Sequence, residues 1–459
     1  MYVLISLIVL VISVLLFRSV AGSLSPTRIN MIGWIFFFEL VAQSFVASVL
    51  VVNGLDDHYM INRIQEEARF QGWLAVQYTM IAMPVGMLLA VRLNGLRNNR
   101  GLFRYYIAQP IAPALSRRDS FVRYPLYALS GIALLAVLYT FYALGDIPLL
   151  SAIAGGDAVS LAISRVDASL GFQGNVYVRN LLGLLLTPIL AYISFGYLKQ
   201  TGALRDRIWF LTMLGASCLI LTYDLSKAPI VIFALGFLMF RVLADGRVSR
   251  TVFYLFGAMA LLILLASYWF IGKVTDPSVL FAYNRGIGGR ILLSQAAGTY
   301  FAFEHFPDTQ PFIGFASLST FISNAAGLEH SDRAARIMMT IFNPAGVEAG
   351  KAAVMNSLFI AEAWANFGLI GVLLAPIYVG VFIQTIFLFF LRSKKTPVLL
   401  GVFAYLSLRM PVTGGFNDFI YAPSLVNIVF VLISVYLVAV VLKSGVRKLR
   451  AQSVALAST

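Results

Sequence analysis

Charge is what this 459-residue chain has least of. Only 12% of its residues are Asp, Glu, Lys or Arg, about half the share usual in a soluble domain, which excludes an ordinary cytosolic enzyme. Cysteine occurs once, at Cys218 inside an apolar run, so neither an intrachain disulfide nor a Cys-based metal site is possible. Histidine occurs three times, as His58, His305 and His330, too few for a heme, a Cys/His zinc site or a redox centre. Walker-type lysine loops and Gly-x-Ser-x-Gly elbows are missing as well.

Apolar residues fill the space that charge leaves, at 60% of the chain. Stretches near the ~20 residues needed to cross a bilayer fall at 2–17, 31–52, 73–93, 125–144, 180–198, 208–223, 228–242, 251–271, 364–390, 396–409 and 422–442. The expected fold is therefore all-α: one polytopic membrane domain over 1–459 with about eleven transmembrane helices by the length criterion. The first run lacks a basic n-region and a small-residue cleavage site, and reads as a retained span. No internal repeat stands out, and no soluble domain is expected before or after the membrane part.

Net charge is +14, which in a soluble protein would suggest nucleic acid. In a membrane protein it is first sorted by side, because Lys and Arg collect in cytoplasmic loops. One alternate set of loops holds 22 of the 34 basic residues and only three acids, Asp119, Asp206 and Asp245. The N-terminus is therefore expected outside and the C-terminus inside, with membrane lipid rather than nucleic acid as the surrounding partner. All five tryptophans, at 34, 73, 209, 269 and 364, fall near span ends, as an interfacial belt requires.

The outer loops are 53–72, 145–179, 272–363 and 410–421, with a tight turn at 224–227. The loop before the ninth span is far longer than a helix connection needs, and such loops are usually functional or disordered. Its apolar segment Arg290–Phe306 and its amphipathic segment Asp332–Ile341 read instead as helices at the membrane surface.

Cations are least expected on this side, and several stand there. Arg285 and Arg290 bracket the turn Arg285-Gly-Ile-Gly-Gly-Arg290. Glycines let backbone N–H groups approach an anion, a helix start adds positive dipole, and guanidiniums grip phosphate oxygens in pairs. A diphosphate cradle is one reading, and contacts to lipid headgroups or loop carboxylates are the other. Arg409 closes the tenth span before Pro411 and Gly414-Gly415, and Lys227 sits in Tyr223-Asp224-Leu-Ser-Lys227-Ala-Pro229. Ionisable residues at membrane depth default to function, though an Asp224–Lys227 ion pair is the plainer alternative. Arg165, in the second outer loop, reads as a surface residue when taken alone.

Two groups could take a proton. Glu362 lies in Phe359-Ile-Ala-Glu362-Ala-Trp364-Ala-Asn366-Phe-Gly368, where apolar chain re-enters the membrane. It is either a general base or the partner of an arginine. His330, in Glu329-His330-Ser-Asp332, is either a hydrogen-bonded loop residue or a catalyst. Glu39, within the second span, calls for a buried partner. No Asp-x-Asp pair stands on an outer loop to hold a metal–nucleotide, so chemistry on this face needs a donor already activated in the membrane.

At four places the chain resembles the Wzy-type polymerases of bacterial surface polysaccharide. These are Gly145-Asp-Ile-Pro-Leu-Leu followed by Arg165 and Gly174; Ser226-Lys227-Ala-Pro229; Arg290 with Gln295, Tyr300 and Phe306-Pro307; and Phe359–Gly371 around Glu362, the most specific. The likeness covers most of 140–420, while the first 120 residues match in hydropathy only. The chain departs from the family's Arg-x10-Gly pattern, with Arg165-x8-Gly174 and Arg336-x9-Gly346 as its nearest spacings.

The resemblance implies a glycosyltransferase at the periplasmic face of a Gram-negative inner membrane. It would polymerise undecaprenyl-diphosphate-linked oligosaccharide repeat units into O-antigen or a related polysaccharide. A flippase and a chain-length regulator are the protein partners it implies. Arg285, Arg290 and Arg409, joined by Arg165 and Lys227, would hold the diphosphate, and Glu362 or His330 would take the acceptor proton. Diphosphate is a good leaving group, so no general acid is needed. The residues imply no metal, and Mg²⁺ bridging the diphosphates stays open. Two alternatives remain: an O-antigen ligase, and a lipid-linked oligosaccharide flippase or other transporter. Weak repeats and midplane polar sites would favour the transporter.

The charge count generates a topology test. Reporter fusions after Gly155 and Ser331 are expected to report outside, and those after Arg117 and Lys395 inside. A cytoplasmic signal from the Ser331 fusion would reverse the long loop and overturn the orientation.

Overall fold

The computed structural model describes the chain except for residues 114–119, 154, 156–157, 170, 271–275, 351 and 458–459. Among the described residues every regular element is a helix, as hydrocarbon demands of a chain that must satisfy its own backbone groups. Eight helices there are long and apolar enough to cross a membrane. They are α1 (Tyr2–Val20), α2 (Met31–Val52), α3 (Glu66–Leu93), α4 (Phe121–Ala143), α5 (Val178–Thr201), α6 (Ala228–Asp245), α7 (Ile360–Arg392) and α8 (Asn417–Ser444). The chain is a polytopic membrane protein by this measure.

Three of the eleven expected spans are not among the eight. The run at 208–223 is a helix, Leu204–Leu221, but Arg205, Asp206 and Arg207 stand in its first turn and lower its apolar character. The run at 251–271 is the helix Arg250–Phe270; its apolar part is counted only over Arg250–Ile263, and residue 271 lies outside the described residues. The run at 396–409 yields a ten-residue helix, Pro397–Leu406. At about 1.5 Å per residue that is roughly 15 Å, half the ~30 Å hydrocarbon core.

Among its described residues the long loop before α7 carries helices, though they differ from expectation. Asp332–Ile341 becomes the amphipathic helix Ala334–Phe342, with Ala334 and Met338 buried. Arg290–Phe306 splits into Gly286–Leu292 and Ala297–His305. The second of these is no surface helix. Its residues Ala297–Phe303 are buried, because Ala297, Gly298 and Ala302 are small enough to let it pack on α3 and α7. A side chain at Gly72 of α3 would strike the Tyr300 ring.

The chain groups into two compact units. The first comprises Met1–Ala108, Arg241–Arg392 and Leu406–Tyr421. Its centre is α3, flanked by α1 and α7. Serine and aromatic donors fasten these helices: Ser13 Oγ–H donates to the Met80 carbonyl at 2.8 Å, Trp73 Nε1–H to Ser6 Oγ at 3.0 Å, and Tyr78 O–H to the Leu373 carbonyl at 2.8 Å. Gly86 and Gly380 let α3 and α7 cross backbone to backbone. A Cβ at Gly86 would meet the Ile377 carbonyl, and one at Gly380 the Met83 carbonyl. Small residues drive helix association in membranes because lipid removes the hydrophobic driving force and leaves van der Waals contact.

The second unit comprises Gln109–Phe240, Ser393–Tyr405 and Ala422–Thr459. Arg123 on α4 pairs with Asp206 at 2.8 and 3.0 Å, with both side chains buried. The Arg123 guanidinium also lies 4.3 Å from the Tyr197 ring centroid. Trp209 Nε1–H donates to Ser130 Oγ at 2.9 Å.

Two spans contain π-wound stretches, Ile35–Phe45 in α2 and Val178–Leu186 in α5; such turns are rare and concentrate at functional sites. A third irregularity is the break in α7 at Gly368, where φ is +57°. Only glycine adopts this conformation at little cost. The N–H groups of Ile313 and Gly314 reach the carbonyls of Ala365 and Asn366, so a loop satisfies the backbone at the break.

Overpacking the α3–α7 crossing should be costly. Gly380→Val is expected to destabilise the protein by about 1–3 kcal/mol or more, as forced insertions do, seen as a lower thermal midpoint in detergent. Gly257→Ala, which has open space around it in the helix Arg250–Phe270, should hold or raise the midpoint, alanine being the better helix former.

Candidate functional site

Two polar centres of the first unit lie at one end of its helices. Arg392 donates to the Asn94 side chain and carbonyl at 2.7 and 2.8 Å, which places the C-terminal ends of α3 and α7 together. From there Leu369 is reached after roughly 35 Å of helix at about 1.5 Å per residue, and Glu362 lies beyond. Sequence charge assigns this far end to the outside.

The first centre is built on Glu362. Its carboxylate is buried and receives a two-pronged grip from Arg333, Nε–H to Oε1 at 2.8 Å and Nη2–H to Oε2 at 2.9 Å. The backbone N–H of Asn417 adds a bond to Oε2 at 2.8 Å. Arg333 also donates to Asp418 at 2.9 Å. Burial alone would lower the Arg333 pKa, but hydrogen bonds and the charges of Glu362 and Asp418 raise it above its ordinary value. Behind the pair, Asn417 Nδ2 donates to the carbonyl and Oγ of Ser317, and Asn366 Nδ2 donates to Asn417 Oδ1 at 3.0 Å. Gly415 completes the wall, since a Cβ there would strike both Arg333 and Glu362.

Glu39 does the same work one helix away. Its carboxylate accepts from Trp34 Nε1 at 3.1 Å and from the Val412 N–H, while the Val412 carbonyl accepts from the Phe359 N–H at 2.9 Å. The segment between Arg409 and Asp418 is thus fixed by two buried carboxylates.

The second centre is a cavity of about 500 Å³. Arg285, Arg290, Asp57, His58, Asn284 and Ser294 are among the residues that line it. Arg285 is exposed and lies 3.5 Å from the Asp57 carboxylate; Arg290 is exposed as well. His58 Nε2 and Ser294 Oγ are 3.1 Å apart, and the Met60 N–H donates to His58 Nδ1 at 3.4 Å. Burial of the imidazole pushes its pKa below the ordinary value, against the opposing charge of Asp56.

The glycines of this turn are used differently from the cradle expected of them. A Cβ at Gly286 would meet the carbonyls of Val279 and Leu280, one at Gly288 the Ala282 carbonyl, and one at Gly289 the Asn284 carbonyl. Their smallness folds the helix Gly286–Leu292 onto its own preceding turn. The Gly289 N–H already donates to the Arg285 carbonyl at 2.8 Å. Gly286 and Gly289 line the cavity beside the arginine side chains, but the Gly289 N–H is thereby used within the helix.

The expected residues therefore separate. Arg285 and Arg290 share one cavity, and Arg409 is half-buried on the segment after Leu406, outside the lining of that cavity. Of the two roles open to Glu362, the structure shows the arginine's partner, and that partner is Arg333. His330 is exposed, its Nδ1 3.3 Å from Ser323 Oγ. In the second unit Arg165 Nε–H donates to the Asp224 carbonyl at 3.1 Å. The Asp224 carboxylate accepts from the N–H and Oγ–H of Ser226 at 2.9 and 2.7 Å. Lys227 opens a helix at Lys227–Asp245, and its side chain lies outside the described residues. Sequence reasoning missed Arg333 and His58 as site residues. Among the described residues no three His, Cys, Asp or Glu side chains gather as a metal site.

Comparison with family models, curated proteins and solved structures found no match to this chain. Any family likeness rests on the residues quoted from its sequence.

The Arg333–Glu362 contact can be measured by a double-mutant cycle on thermal stability. Arg333→Ala and Glu362→Ala are each expected to lower the midpoint. The double variant should be less damaged than their sum, with a coupling of about 1–3 kcal/mol, as contacting residues show. Additive effects would mean that the fork contributes nothing to stability.

Proposed function

We propose that the chain is a membrane glycosyltransferase of the polymerase type. It would pass a growing glycan from its polyprenyl diphosphate to a lipid-linked repeat unit at the outer face of the bacterial inner membrane. The observation that carries this reading is the cavity holding Arg285 and Arg290 beside His58. At about 500 Å³ it falls within the size range of small-molecule sites. Two exposed guanidiniums suit the oxygens of a diphosphate, and a neutral imidazole suits the proton of an attacking hydroxyl.

In the reaction the acceptor hydroxyl oxygen bonds to the donor sugar's anomeric carbon. The anomeric C–O bond breaks, and its electron pair leaves with the diphosphate. His58 takes the hydroxyl proton at Nδ1, giving up the long 3.4 Å contact from the Met60 N–H while Nε2–H stays on Ser294 Oγ. Arg285 and Arg290 neutralise the departing charge. Arg285 exchanges its contact with Asp57 for the phosphate oxygens. Glu362 is given no proton to move. A charged fork from Arg333 at 2.8 and 2.9 Å and the Asn417 N–H hold its carboxylate, far tighter than the 3.4 Å contact on His58 Nδ1. Its role is to hold Arg333 and the segment at Asn417. His330, exposed on another part of the loop, is likewise left out of the reaction.

The break in α7 favours a second reading. Interrupted spans line the substrate path of many carriers, so a lipid-linked oligosaccharide flippase is the competing function. An O-antigen ligase would use the same donor chemistry as the polymerase.

A deletion strain separates the three. Lipid A core capped with a single repeat unit is the expected phenotype of a missing polymerase. Loss of all capping would identify a ligase, and repeats stranded on the inner leaflet a flippase.

Reconstituted polymerisation from purified lipid-linked repeat then tests the site. Arg285→Ala and Arg290→Ala should each slow the reaction roughly ten- to a hundred-fold, the effect of about 1.5–3 kcal/mol for a charged hydrogen bond. Lysine should rescue poorly, for want of a planar fork. His58→Ala should cost about 10²- to 10⁴-fold, as loss of a general base does. Because burial lowers the His58 pKa, the wild-type rate should fall only as pH drops below 6.5, the ordinary imidazole value. An acid limb unmoved by His58→Gln would remove this residue from the mechanism.

A further inference from the structure

Four arginines of the first unit, Arg18, Arg28, Arg100 and Arg104, line a single cavity of about 390 Å³. It lies at the ends of α1 and α3 and the start of α2, opposite the Glu362 end. No carboxylate lines it, and among the described residues none of the four takes part in an ion pair. Elsewhere in the unit some arginines face carboxylates, Arg69 with Asp56, Arg285 with Asp57, and Arg333 with Glu362 and Asp418. Others face neutral acceptors, Arg336 two carbonyls and Arg392 the Asn94 side chain and carbonyl. What sets these four apart is that they gather in one cavity. Like charges gathered without a counter-charge repel one another, so this arrangement calls for an anion from outside the chain.

The cavity is built rather than fortuitous. Arg100 and Arg104 are four residues apart on the helix Arg100–Ala108 and so share one face. That helix anchors itself by burying Phe103 and Tyr106. Its docking depends on Gly22, where a Cβ would come within 2.6 Å of the Phe103 Cβ. Two fully buried asparagines fix the connecting chain. Asn99 Nδ2 donates to the Val20 carbonyl at 2.7 Å, and Asn30 Nδ2 to the carbonyls of Ala21 and Ser23 at 2.8 and 3.0 Å. The Val248 N–H holds the Thr27 carbonyl at 3.0 Å, next to Arg28.

The remaining walls decide what kind of anion. Val14 and Phe37 both line the cavity and are exposed on spans α1 and α2. Charge at the mouth and an apolar wall continuing along two spans match a molecule with a phosphate head and acyl chains. Basic pockets between transmembrane helices on the cytoplasmic side recognise such headgroups, and the charge count assigns this end to the cytoplasm. We propose that Arg18, Arg28, Arg100 and Arg104 form a binding site for the phosphate headgroup of an anionic phospholipid. A headgroup with two phosphates gives the best match to four guanidiniums.

The test uses the full chain purified in detergent, with cardiolipin, phosphatidylcholine and sodium pyrophosphate as probes. Thermal midpoints and lipid adducts in native mass spectra are the readouts. Cardiolipin is expected to raise the midpoint and to persist as an adduct, while phosphatidylcholine does neither. Arg100→Gln with Arg104→Gln should weaken cardiolipin binding at least tenfold. Arg92→Gln with Arg97→Gln, on the same connection but outside the cavity, should leave it unchanged. Arg28→Gln provides the same comparison if the first pair fails to fold. Equal loss from both pairs would reduce the effect to general surface charge and overturn the site. Stabilisation by pyrophosphate as strong as by cardiolipin would replace the lipid with a free polyphosphate.

Discussion

The Glu362 end of the first unit depends on one contact, the fork of Arg333 on Glu362. A carboxylate buried at the start of a span is tolerated only when paired and hydrogen-bonded, and this one is both. Its third bond, from the Asn417 N–H, ties the fork to the segment that returns from Arg409 to Asp418. Three stretches far apart in sequence thus meet at one carboxylate. With Glu39 holding Val412 from the other side, that segment has little freedom to move. A buried ion pair of this kind is weak evidence for net stability, because desolvation offsets much of its attraction. Its contribution here is position: it fixes where the loop lies over the broken start of α7.

The break at Gly368 follows from the same local demands. Continuing α7 as one unbroken helix would leave no route for the 313–314 loop to reach the backbone near Asn366. Opening the helix frees the Ala365 and Asn366 carbonyls, and the loop supplies the missing donors. Ser317, on the same loop, then meets Asn366 and Asn417. Polar side chains at membrane depth are costly unless satisfied, and here the broken backbone and the polar cluster satisfy each other. The irregularity is therefore sustained by its own network.

Much of the architecture was legible in the sequence because hydrocarbon imposes one rule, and apolar length reports it directly. Where length and charge conflict, the reading faltered. Pro397–Leu406 is as apolar as any span but stops short, and Leu204–Leu221 begins on three charged residues. The site was legible in part. Glu362 was conspicuous as a carboxylate within apolar chain, and its pairing with an arginine was one of two readings. Its partner was not identifiable, because Arg333 lies 29 residues away on a loop with other arginines. His58 carried no local signal at all; its meaning comes from Ser294, 236 residues distant in the chain. The glycines around Arg285 have a packing role that the sequence did not signal. A glycine-rich turn looks the same in sequence whether its space admits a ligand or its own preceding residues, and here the carbonyls of Val279–Asn284 occupy it.

Counter-charge sorts the arginines of the first unit more sharply than position does. Arg69 and Arg333 have carboxylates within about 3 Å and are parts of the scaffold; replacing their partners with a ligand would expose a buried acid. Arg285 is intermediate, since Asp57 lies at 3.5 Å and both side chains are exposed, so solvent weakens the pair and an anion can compete for it. The cluster around Arg100 has no acid in its lining. A phosphate ligand gains most where it displaces water alone, less where it displaces an exposed carboxylate, and least where it must break a buried fork. That order suits ligand exchange to the Arg285 cavity and lasting occupancy to a cluster with no acid in its lining. A site that must release an anion repeatedly is better served by the intermediate case. A guanidinium with a waiting counter-ion loses less when its ligand departs.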